Sequence, residues 1–285
     1  QEAMVTFLGT GLLGGNFTRA LLSKGETVQV WNRTIEKAKA LEQYGAVVCN
    51  SPAEAVKGST RVHIVVSDDA AVNEVLQMAE PALEPGTIII DHTTTSVAGA
   101  IERTMQWAAK GYTYVHVPVF MGPANALDST GFMLVSDNEE TIRNIMPWLE
   151  TMTDKVLNFG NVTGKAAGVK LIGNQFLIAL TAGISDMLAL AKAVDVTGDD
   201  IATLLDAWNP GASTPQRLRR AIKGEFDKPS WELQMARKDT RLMLEEAERG
   251  GTKIPGTATT AAQMDKWLAD GNAKKDWMII ASGDL

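Results

Sequence analysis

Short runs of apolar residues alternate with amphipathic stretches over residues 4–160. β-Branched and aromatic runs bounded by turn residues predict strands, and apolar residues spaced three to four apart predict helices. The predicted strands are Met4–Leu8, Thr27–Trp31, Ala46–Val48, Arg61–Val66, Gly86–Ile90, Thr113–His116 and Phe132–Val135. The predicted helices are Asn16–Ser23, Pro52–Lys57, Ala70–Met78, Ser96–Lys110 and Asn138–Thr151. Because strands and helices alternate, we expect a mostly parallel, doubly wound α/β sheet covered by helices on both faces.

The pattern changes near residue 161. From Gly164 to about Val194 the chain is rich in Ala, Leu and Ile, lacks proline, and is apolar on more of its circumference than a surface helix. Further helices are predicted at Asp199–Trp208, Thr214–Lys223, Trp231–Arg249 and Thr257–Gly271. We therefore expect an α/β domain over residues 1–162 and an all-helical domain over residues 163–285, entered by one long interdomain helix. A helix of this kind is either the core of its domain or the centre of a dimer.

Composition narrows the class of protein. The chain has 285 residues, enough for two domains, and a net charge of −7 argues against a nucleic-acid partner. Its single cysteine, Cys49, excludes an intrachain disulfide and fits a reducing compartment, so we expect a cytoplasmic protein. The scattered histidines, His63, His92 and His116, have no metal-ligand spacing, and we expect no metal. No signal peptide or apolar run of about 20 residues is evident, so no membrane partner is expected.

A glycine motif follows the first predicted strand. Met4–Leu8 leads directly into a G-x-G-x-x-G sequence and then a helical pattern, which is typical of a dinucleotide-binding Rossmann unit rather than an ordinary glycine-rich turn. Gly9 would allow the tight turn, Gly11 the approach of the backbone to a pyrophosphate, and Gly14 the close packing of helix on strand. The predicted cofactor-binding loop is Gly9, Thr10, Gly11, Leu12, Leu13 and Gly14.

The end of the second strand indicates which dinucleotide is bound. NAD sites usually place an acidic residue there, whereas this chain has Asn32, Arg33 and Thr34, with Lys37 one helical turn further on. An arginine binds a 2′-phosphate through forked, charge-assisted hydrogen bonds, which predicts NADP(H) as the cofactor. The alternative is that Arg33 only caps a solvated loop. The cofactor assignment also includes Val66 and Ser67, at the end of the fourth strand.

Three segments can place candidate catalytic and binding residues at the carboxyl ends of the strands. Residues 91–95 (DHTTT) and 117–123 (VPVFMGP) each follow a strand, and the long helix begins with residues 164–174. Lys170 and Asn174 are four residues apart, so they lie on one helix face. A lysine and an amide on the inner face of an apolar helix cost free energy of folding unless they face a hydrated, functional cleft.

These segments carry a family resemblance that spans nearly the whole chain. With GTGLLG, DHTTT, a PV-x-x-G turn, a K-x-x-x-N helix and Lys238-Asp239, the chain resembles the β-hydroxyacid dehydrogenases, which include 3-hydroxyisobutyrate and 6-phosphogluconate dehydrogenases. The resemblance implies that Lys170 is catalytic and that Asn174 helps to hold the substrate oxygen. It also implies that Thr94 and Lys238 contact the nicotinamide half of the cofactor, and that the helical domains interlock in a homodimer.

The reaction chemistry gives Lys170 the same role. Hydride transfer to a carbonyl builds negative charge on its oxygen, so a donor must stabilise that oxygen and supply a proton. A partly buried lysine shifts its pKa readily and can act as base in the reverse direction. The alternatives are that Lys170 extends to solvent, that Lys165 takes the role, or that His92 is the acid rather than a hydrogen-bonded spacer.

The chain departs from the family at the substrate end. Acid-specific members carry Ser-Gly-Gly after Pro-Val, where this chain has Phe120, Met121 and Gly122, and Gly173 replaces the first Asn of a common Asn-Asn pair. These residues predict a more apolar pocket that favours a hydrophobic aldehyde, ketone or imine, unless Phe120 and Met121 are simple core packing. The predicted substrate residues are Thr94, Phe120, Met121, Gly122 and Asn174.

Three functions remain in competition. The first is an NADPH-dependent oxidoreductase that transfers a hydride between nicotinamide and a small carbonyl or alcohol substrate, with Lys170 as proton donor and acceptor. The second is an imine reductase or reductive aminase; the apolar 120–121 region favours it, but Lys170 stands where those enzymes usually carry Asp or Tyr. The third is a non-catalytic cofactor-binding scaffold, which the presence of Lys170 disfavours.

Overall fold

The computed structural model describes residues 4–282, and these form two compact units that divide between Gln175 and Phe176. The first unit contains a six-stranded sheet whose paired strands are all parallel, in the order β3-β2-β1-β4-β5-β6. Its strands are β1 Met4–Leu8, β2 Thr27–Trp31, β3 Val47–Val48, β4 Ser59–Ile64, β5 Ile88–Asp91 and β6 Thr113–His116. The predicted doubly wound α/β fold is confirmed.

Helices cover both faces of this sheet. They are α1 Leu12–Ser23, α2 Ile35–Lys39, α3 Pro52–Val56, α4 Asp69–Ala79, α5 Val97–Ala109, α6 Pro123–Asp128 and α7 Glu139–Leu149, with 3₁₀ turns at Glu42–Tyr44 and Glu80–Ala82. Alternate strand residues enter opposite cores, because successive side chains point to opposite faces. Phe7 packs with Phe17 of α1 in one core, whereas Leu8 packs with Val72 and Leu76 of α4 in the other.

A second, three-stranded sheet in the same unit was not predicted. It consists of β7 Val119–Phe120, β8 Phe132–Val135 and β9 Lys155–Asn158, in the order β7-β8-β9. The sequence predicted β8 alone and placed Val119–Phe120 in a loop. Strand β7 has only two residues, too few to show a period of two, so only its pairing with β8 defines it.

Helix α1 begins earlier than the sequence predicted. It starts at Leu12 instead of Asn16, so Gly14 and Gly15 lie inside the helix. Glycine lowers intrinsic helix propensity, which moved the predicted start beyond it. Tertiary packing overrides that preference here, because the carbonyl oxygen of Gly9, just after β1, occupies the space that a side chain at position 14 would need.

The second unit is built from helices. Helix α8 Lys165–Ala193 runs from the first unit into the second, followed by α9 Gly198–Ala207, α10 Thr214–Lys223, α11 Leu233–Arg249 and α12 Pro255–Ala269, with 3₁₀ turns at Pro210–Ser213 and Trp277–Ala281. The predicted all-helical C-terminal part is confirmed. The predicted boundary between residues 162 and 163 lies just before α8 and stays a prediction, since the compact units divide inside that helix.

The structure of helix α8 excludes one of the two alternatives that the sequence left open and contradicts one expectation. The helix is not the core of this chain, because Ile172, Leu177 and Ile178 are each at least 60% exposed. It is also long and apolar enough to cross a bilayer, with 29 residues and a mean hydropathy of 1.6 over its best 18-residue window. The prediction that the sequence contains no apolar run of about 20 residues is therefore wrong. By length and composition alone, such a helix also fits a soluble protein whose apolar face is covered.

Candidate functional site

The glycine loop between β1 and α1 has the geometry of a close-packed turn. Gly9 has φ of +95°, a conformation that side chains disfavour, and a Cβ there would lie 2.0 Å from the Val65 carbonyl oxygen. A Cβ at Gly14 would lie 2.0 Å from the Gly9 carbonyl oxygen. A Cβ at Gly11 would meet nothing within 4 Å. The outer two glycines therefore allow the chain to pack, and the middle one leaves open space at the helix N-terminus.

A cavity of about 440 Å³ opens at this helix N-terminus. The predicted cofactor residues that line it are Gly11, Leu12, Leu13, Gly14, Asn32, Arg33, Lys37, Val66 and Ser67. Unpaired backbone N–H groups and the positive end of the helix dipole favour an anion at such a place. The lining residues thus suit a phosphate-bearing dinucleotide.

The Asn32 side chain connects the two loops beside this cavity. Its Oδ1 accepts a hydrogen bond from the Thr10 backbone N–H at 2.8 Å, and its Nδ2 donates to the Thr34 carbonyl at 2.9 Å. The Asn32 side chain therefore fixes the glycine loop against the loop after β2. The buried Thr10 Oγ1 has no hydrogen-bond partner among residues 4–282. A buried hydroxyl without a partner next to an anion-binding turn is consistent with a ligand that supplies the missing hydrogen-bond partner.

A carboxylate that the sequence analysis missed lies at the edge of the same cavity. Arg33 Nη2 is 2.8 Å from Glu74 Oε2, and both side chains are exposed. Glu74 is on α4, 41 positions along the chain, and no local pattern connects it with the motif after β2. Lys37 forms no ion pair with any side chain in the described part of the chain.

The segment after β5 is held by a buried polar network. Asp91 is fully buried; its Oδ1 accepts from the Thr93 backbone N–H at 2.9 Å, and its Oδ2 accepts from the Tyr114 hydroxyl. Arg103 Nε donates to the Tyr114 oxygen at 3.0 Å. Burial and the Asp91 carboxylate raise the pKa of Tyr114 well above its ordinary value. This network fixes the turn that exposes Thr94.

Arg103 also anchors the end of this segment. Its Nη2 contacts Asp69 Oδ1 at 2.7 Å, while Asp69 Oδ2 accepts from the Ser96 backbone N–H at 2.9 Å. Burial alone would raise the pKa of Asp69, but these two donors outweigh it and the pKa is lowered. The sequence analysis gave Asp69, Arg103 and Tyr114 no role, because their partners come from separate elements.

The geometry favours His92 as a spacer and not as an acid. A chain of hydrogen bonds runs from Arg61 Nε to His63 Nε2 at 2.9 Å, from His63 Nδ1 to His92 Nε2 at 2.8 Å, and from His92 Nδ1 to the Val117 carbonyl at 2.9 Å. Because Arg61 can only donate, both imidazoles are neutral and carry their proton on Nδ1. Burial lowers the pKa of His92 to about 4 and that of His63 well below its ordinary value.

Lys170 is half-buried on the first turns of α8. Its Nζ lies 4.1 Å from the centroid of the Phe120 ring, and burial lowers its pKa. Asn174 is also half-buried, one turn further along the helix, whereas Lys165 is exposed. The Lys170 ammonium therefore lies over an aromatic face and does not extend freely into solvent.

Gly173 makes this arrangement possible. A Cβ at Gly173 would lie 2.3 Å from Phe120 Cζ, so the ring occupies the space that any side chain at 173 would need. Met121 packs against the hydrophobic core, and Gly122 is the N-cap of α6 with its N–H held by Asn125. Of the two apolar residues, Met121 thus packs in the core and Phe120 lies against the helix that carries Lys170.

Two further predicted site residues are Thr94 and Lys238. Thr94 is exposed at the end of β5, and Lys238 is on α11 in the second unit, where its Nζ pairs with Asp239 at 2.9 Å. The assignments of individual residues to cofactor or substrate stay predictions. Within residues 4–282, no group of three or more His, Cys, Asp or Glu side chains is placed to hold a metal ion.

Family models match almost the whole chain. The NAD binding domain of 6-phosphogluconate dehydrogenase matches residues 4–160, and the NAD-binding domain of NADP-dependent 3-hydroxyisobutyrate dehydrogenase matches residues 164–282. The second match contains the whole of α8. The two matched regions meet close to the start of that helix.

Individual relatives and solved structures agree with these models. A probable 3-hydroxyisobutyrate dehydrogenase-like protein of Arabidopsis thaliana is 30% identical over 90% of this chain and 78% of its own. Glyoxylate/succinic semialdehyde reductase 1 of the same organism is 28% identical over 97% and 96%. The imine reductase of Myxococcus stipitatus, solved with NADP⁺, is similar in fold, with a TM-score of 0.91 and 19% identity over 98% of each chain. The chain belongs to the 3-hydroxyisobutyrate dehydrogenase family of β-hydroxyacid dehydrogenases and is an NAD(P)-dependent oxidoreductase.

Proposed function

We propose that this protein is an NADPH-dependent reductase of apolar aldehydes or ketones in which Lys170 supplies the proton. When bound, the reduced nicotinamide supplies the hydride for the substrate carbon. The observation that carries the proposal is the half-buried Lys170 ammonium, held 4.1 Å from the Phe120 ring with a lowered pKa. A lysine with a lowered pKa gives up its proton more readily than a fully solvated one.

The preference for NADPH is supported by the charges around the cavity. Arg33 and Lys37 line it, and the strand end that usually carries an acidic residue in NAD sites has Asn32 instead. A guanidinium and an ammonium favour a 2′-phosphate over a ribose hydroxyl. The Myxococcus imine reductase, which has the same fold, was solved with NADP⁺.

Lys170 is the proposed proton donor. As the substrate carbonyl is reduced, negative charge develops on its oxygen, and an adjacent ammonium stabilises that charge and donates a proton to it. Asn174, on the same helix face, is proposed to hold the oxygen in place through its amide. In the reverse direction the neutral Lys170 amine would accept the proton from the alcohol.

The substrate preference is supported by Phe120 and Gly173. The ring lies against the helix, beside the group proposed to contact the substrate oxygen, and offers no hydroxyl or amide to a carboxylate. Relatives are named as succinic semialdehyde and sulfolactaldehyde reductases, which supports an aldehyde as the group that is reduced. Apolar aldehydes and ketones have such a carbonyl group, and the rest of the molecule can pack against the apolar Phe120 ring.

Imine reduction is the second candidate. The apolar Phe120 region favours it, since an imine substrate needs no carboxylate-binding group. The lysine at position 170 makes it the less favoured activity, because a protonated imine would face a like charge.

A second copy of this chain is the proposed partner of α8. The exposed Ile172, Leu177 and Ile178 would otherwise remain in water, and contiguous apolar surface of this kind marks an interaction site. Asp186, half-buried with its Oδ2 accepting from the Thr257 N–H at 2.7 Å, puts a polar side chain on α8 that suits a protein interface better than lipid. A cytoplasmic homodimer with small-molecule substrates, without nucleic acid or membrane partners, follows as part of the proposal.

One panel assay tests this function. NADPH consumption is measured with purified protein and, in parallel, an apolar aldehyde, an apolar ketone, a semialdehyde that carries a carboxylate, and a cyclic imine. The proposal expects the highest kcat/KM with the apolar carbonyls. A preference of tenfold or more for the carboxylate-bearing substrate would contradict the assigned substrate class, and a preference for the imine would establish the second candidate.

A further inference from the structure

The ion pair between Arg33 and Glu74 lies at the edge of the dinucleotide cavity. Arg33 lines the cavity from the loop after β2, and Ala71 and Val75, on either side of Glu74 in the sequence, line it from α4. The 2.8 Å contact between Arg33 Nη2 and Glu74 Oε2 therefore spans two walls of one site. The cation proposed to select the cofactor is already engaged by a carboxylate of the same chain.

This contact is weak enough to be exchanged. The two side chains are 66% and 58% exposed, and ion pairs between exposed groups contribute little free energy because water solvates both partners. A 2′-phosphate carries more charge than a carboxylate and offers oxygens to the same guanidinium fork. A bound 2′-phosphate must therefore either displace Glu74 from Arg33 or share Arg33 with it.

We propose that Glu74 is a determinant of cofactor selectivity that competes with the 2′-phosphate for Arg33 and so limits the preference for NADPH over NADH. The inference rests on the proposed assignment of Arg33 to the 2′-phosphate. Because the ribose of NADH has an uncharged hydroxyl at this position, the Glu74 carboxylate weakens the binding of 2′-phosphorylated ligands alone.

Removal of the Glu74 charge should increase the affinity for 2′-phosphorylated ligands. Substitution Glu74→Gln removes the negative charge with little change of shape, so that Arg33 faces at most a neutral acceptor at this position. The affinity for a 2′-phosphorylated ligand should rise by up to about fivefold, the upper end of the range for exposed charge pairs. The affinity for a ligand without that phosphate should change by less than twofold.

Two nucleotides without nicotinamide separate binding from catalysis. The dissociation constants of adenosine 2′,5′-bisphosphate and adenosine 5′-monophosphate are measured by isothermal titration calorimetry with the full chain. The proteins compared are the wild type, Glu74→Gln, Arg33→Ala and the double variant. Glu80→Gln is the matched control, because Glu80 forms a partly exposed ion pair of 2.9 Å with Lys110 just beyond the end of α4 and does not line the cavity.

The expected result is tighter binding of the bisphosphate by Glu74→Gln, no such gain in the Arg33→Ala background, and no gain in Glu80→Gln. The inference is overturned if Glu74→Gln binds the bisphosphate no more tightly than the wild type, if the gain persists without Arg33, or if Glu80→Gln shows the same gain. A wild type that binds both nucleotides equally would contradict the proposed NADPH preference. In that case, the bisphosphate affinity of Glu74→Gln would still decide whether Glu74 competes for Arg33.

Discussion

The Nζ atom of Lys170 lies 4.1 Å from the centre of the Phe120 ring, and the pair can form because residue 173 has no side chain. Phe120 comes from the short strand β7 and Lys170 from helix α8, so two elements of the first unit define the environment of one ammonium group. The ring face attracts the cation, while the surrounding burial lowers the pKa of Lys170.

Removal of the lysine should abolish most of the activity. Lys170→Ala should lower kcat by a factor on the order of 10² or more, because the developing charge on the oxygen loses its proton donor. The dissociation constant of NADPH, measured by fluorescence titration, should stay within twofold. Lys165→Ala, which removes an exposed lysine from the first turn of the same helix, is the control and should leave kcat unchanged. An active Lys170→Ala variant would exclude Lys170 from the mechanism.

The pH dependence of the reaction should report the same group. Burial lowers the pKa of Lys170, and carbonyl reduction needs the protonated form. The rate of reduction should therefore fall as pH rises through a pKa below the ordinary lysine value of 10.5, while alcohol oxidation should rise over the same interval. Lys170→Arg, which stays protonated, should lose this alkaline limb. If the limb is the same in that variant, another group controls the rate.

Phe120 and Gly173 should behave as a coupled pair. Gly173→Ala places a methyl group 2.3 Å from the present position of Phe120 Cζ, so the free energy of unfolding should fall by about 1–3 kcal/mol. Adding Phe120→Leu should recover part of that loss. The measurement is a double-mutant cycle by urea denaturation.

Gly183→Ala is the matched control for this cycle. Gly183 is on the same helix, and a Cβ there would meet nothing within 4 Å. Alanine at this position should stabilise the protein by up to about 1 kcal/mol through helix propensity alone. An additive cycle for positions 120 and 173 would contradict the contact.

The sequence predicted those parts of the fold whose signals are local. The glycine loop and strands β1 and β2 follow from short patterns, and the structure gives these strands the predicted bounds. Helix α1 was also predicted, although it begins at Leu12 and not at Asn16. Position 173 was singled out in the sequence only as a missing asparagine. Its steric relationship with Phe120 depends on the packing of β7 against α8, which no local pattern contains.

The parts that sequence reasoning missed are contacts between distant elements. Glu74 on helix α4 approaches Arg33 in the loop after β2, and Tyr114 and Arg103 hold Asp91 from two further elements. Each of these residues has the sequence appearance of an ordinary surface or strand residue. Polar networks of this kind become visible only when the topology places their members together.

Stability should fall between pH 6.5 and about 4 because of the buried histidines. Burial lowers the pKa of His92 to about 4, so below pH 6.5 the unfolded chain binds protons that the folded chain excludes. The free energy of unfolding should decrease by on the order of 3 kcal/mol over this interval for His92 alone. His63, in the same chain of hydrogen bonds, should add to the decrease.

Urea denaturation at several pH values measures this slope. His92→Asn keeps an amide donor near the Val117 carbonyl and removes one titrating group, so the slope between pH 6.5 and 4.5 should shrink. Two-dimensional NMR of the imidazoles should show His92 neutral, with its proton on Nδ1, at pH 6. A protonated His92 at that pH, or a stability that does not change with pH, would contradict this account.

A charge on helix α8 should separate the proposed dimer. Ile178 is 69% exposed in the chain, and an aspartate there costs little in a monomer but buries an unpaired charge if a second copy covers the helix. Light scattering after size exclusion should give a dimer for the wild type and a monomer for Ile178→Asp. Met105→Asp is the control, because Met105 is a 63% exposed apolar residue on α5, away from α8 in the sequence, and its variant should remain dimeric. A wild type that is monomeric without detergent, or that remains in a membrane fraction, would contradict the second copy as the partner of this helix.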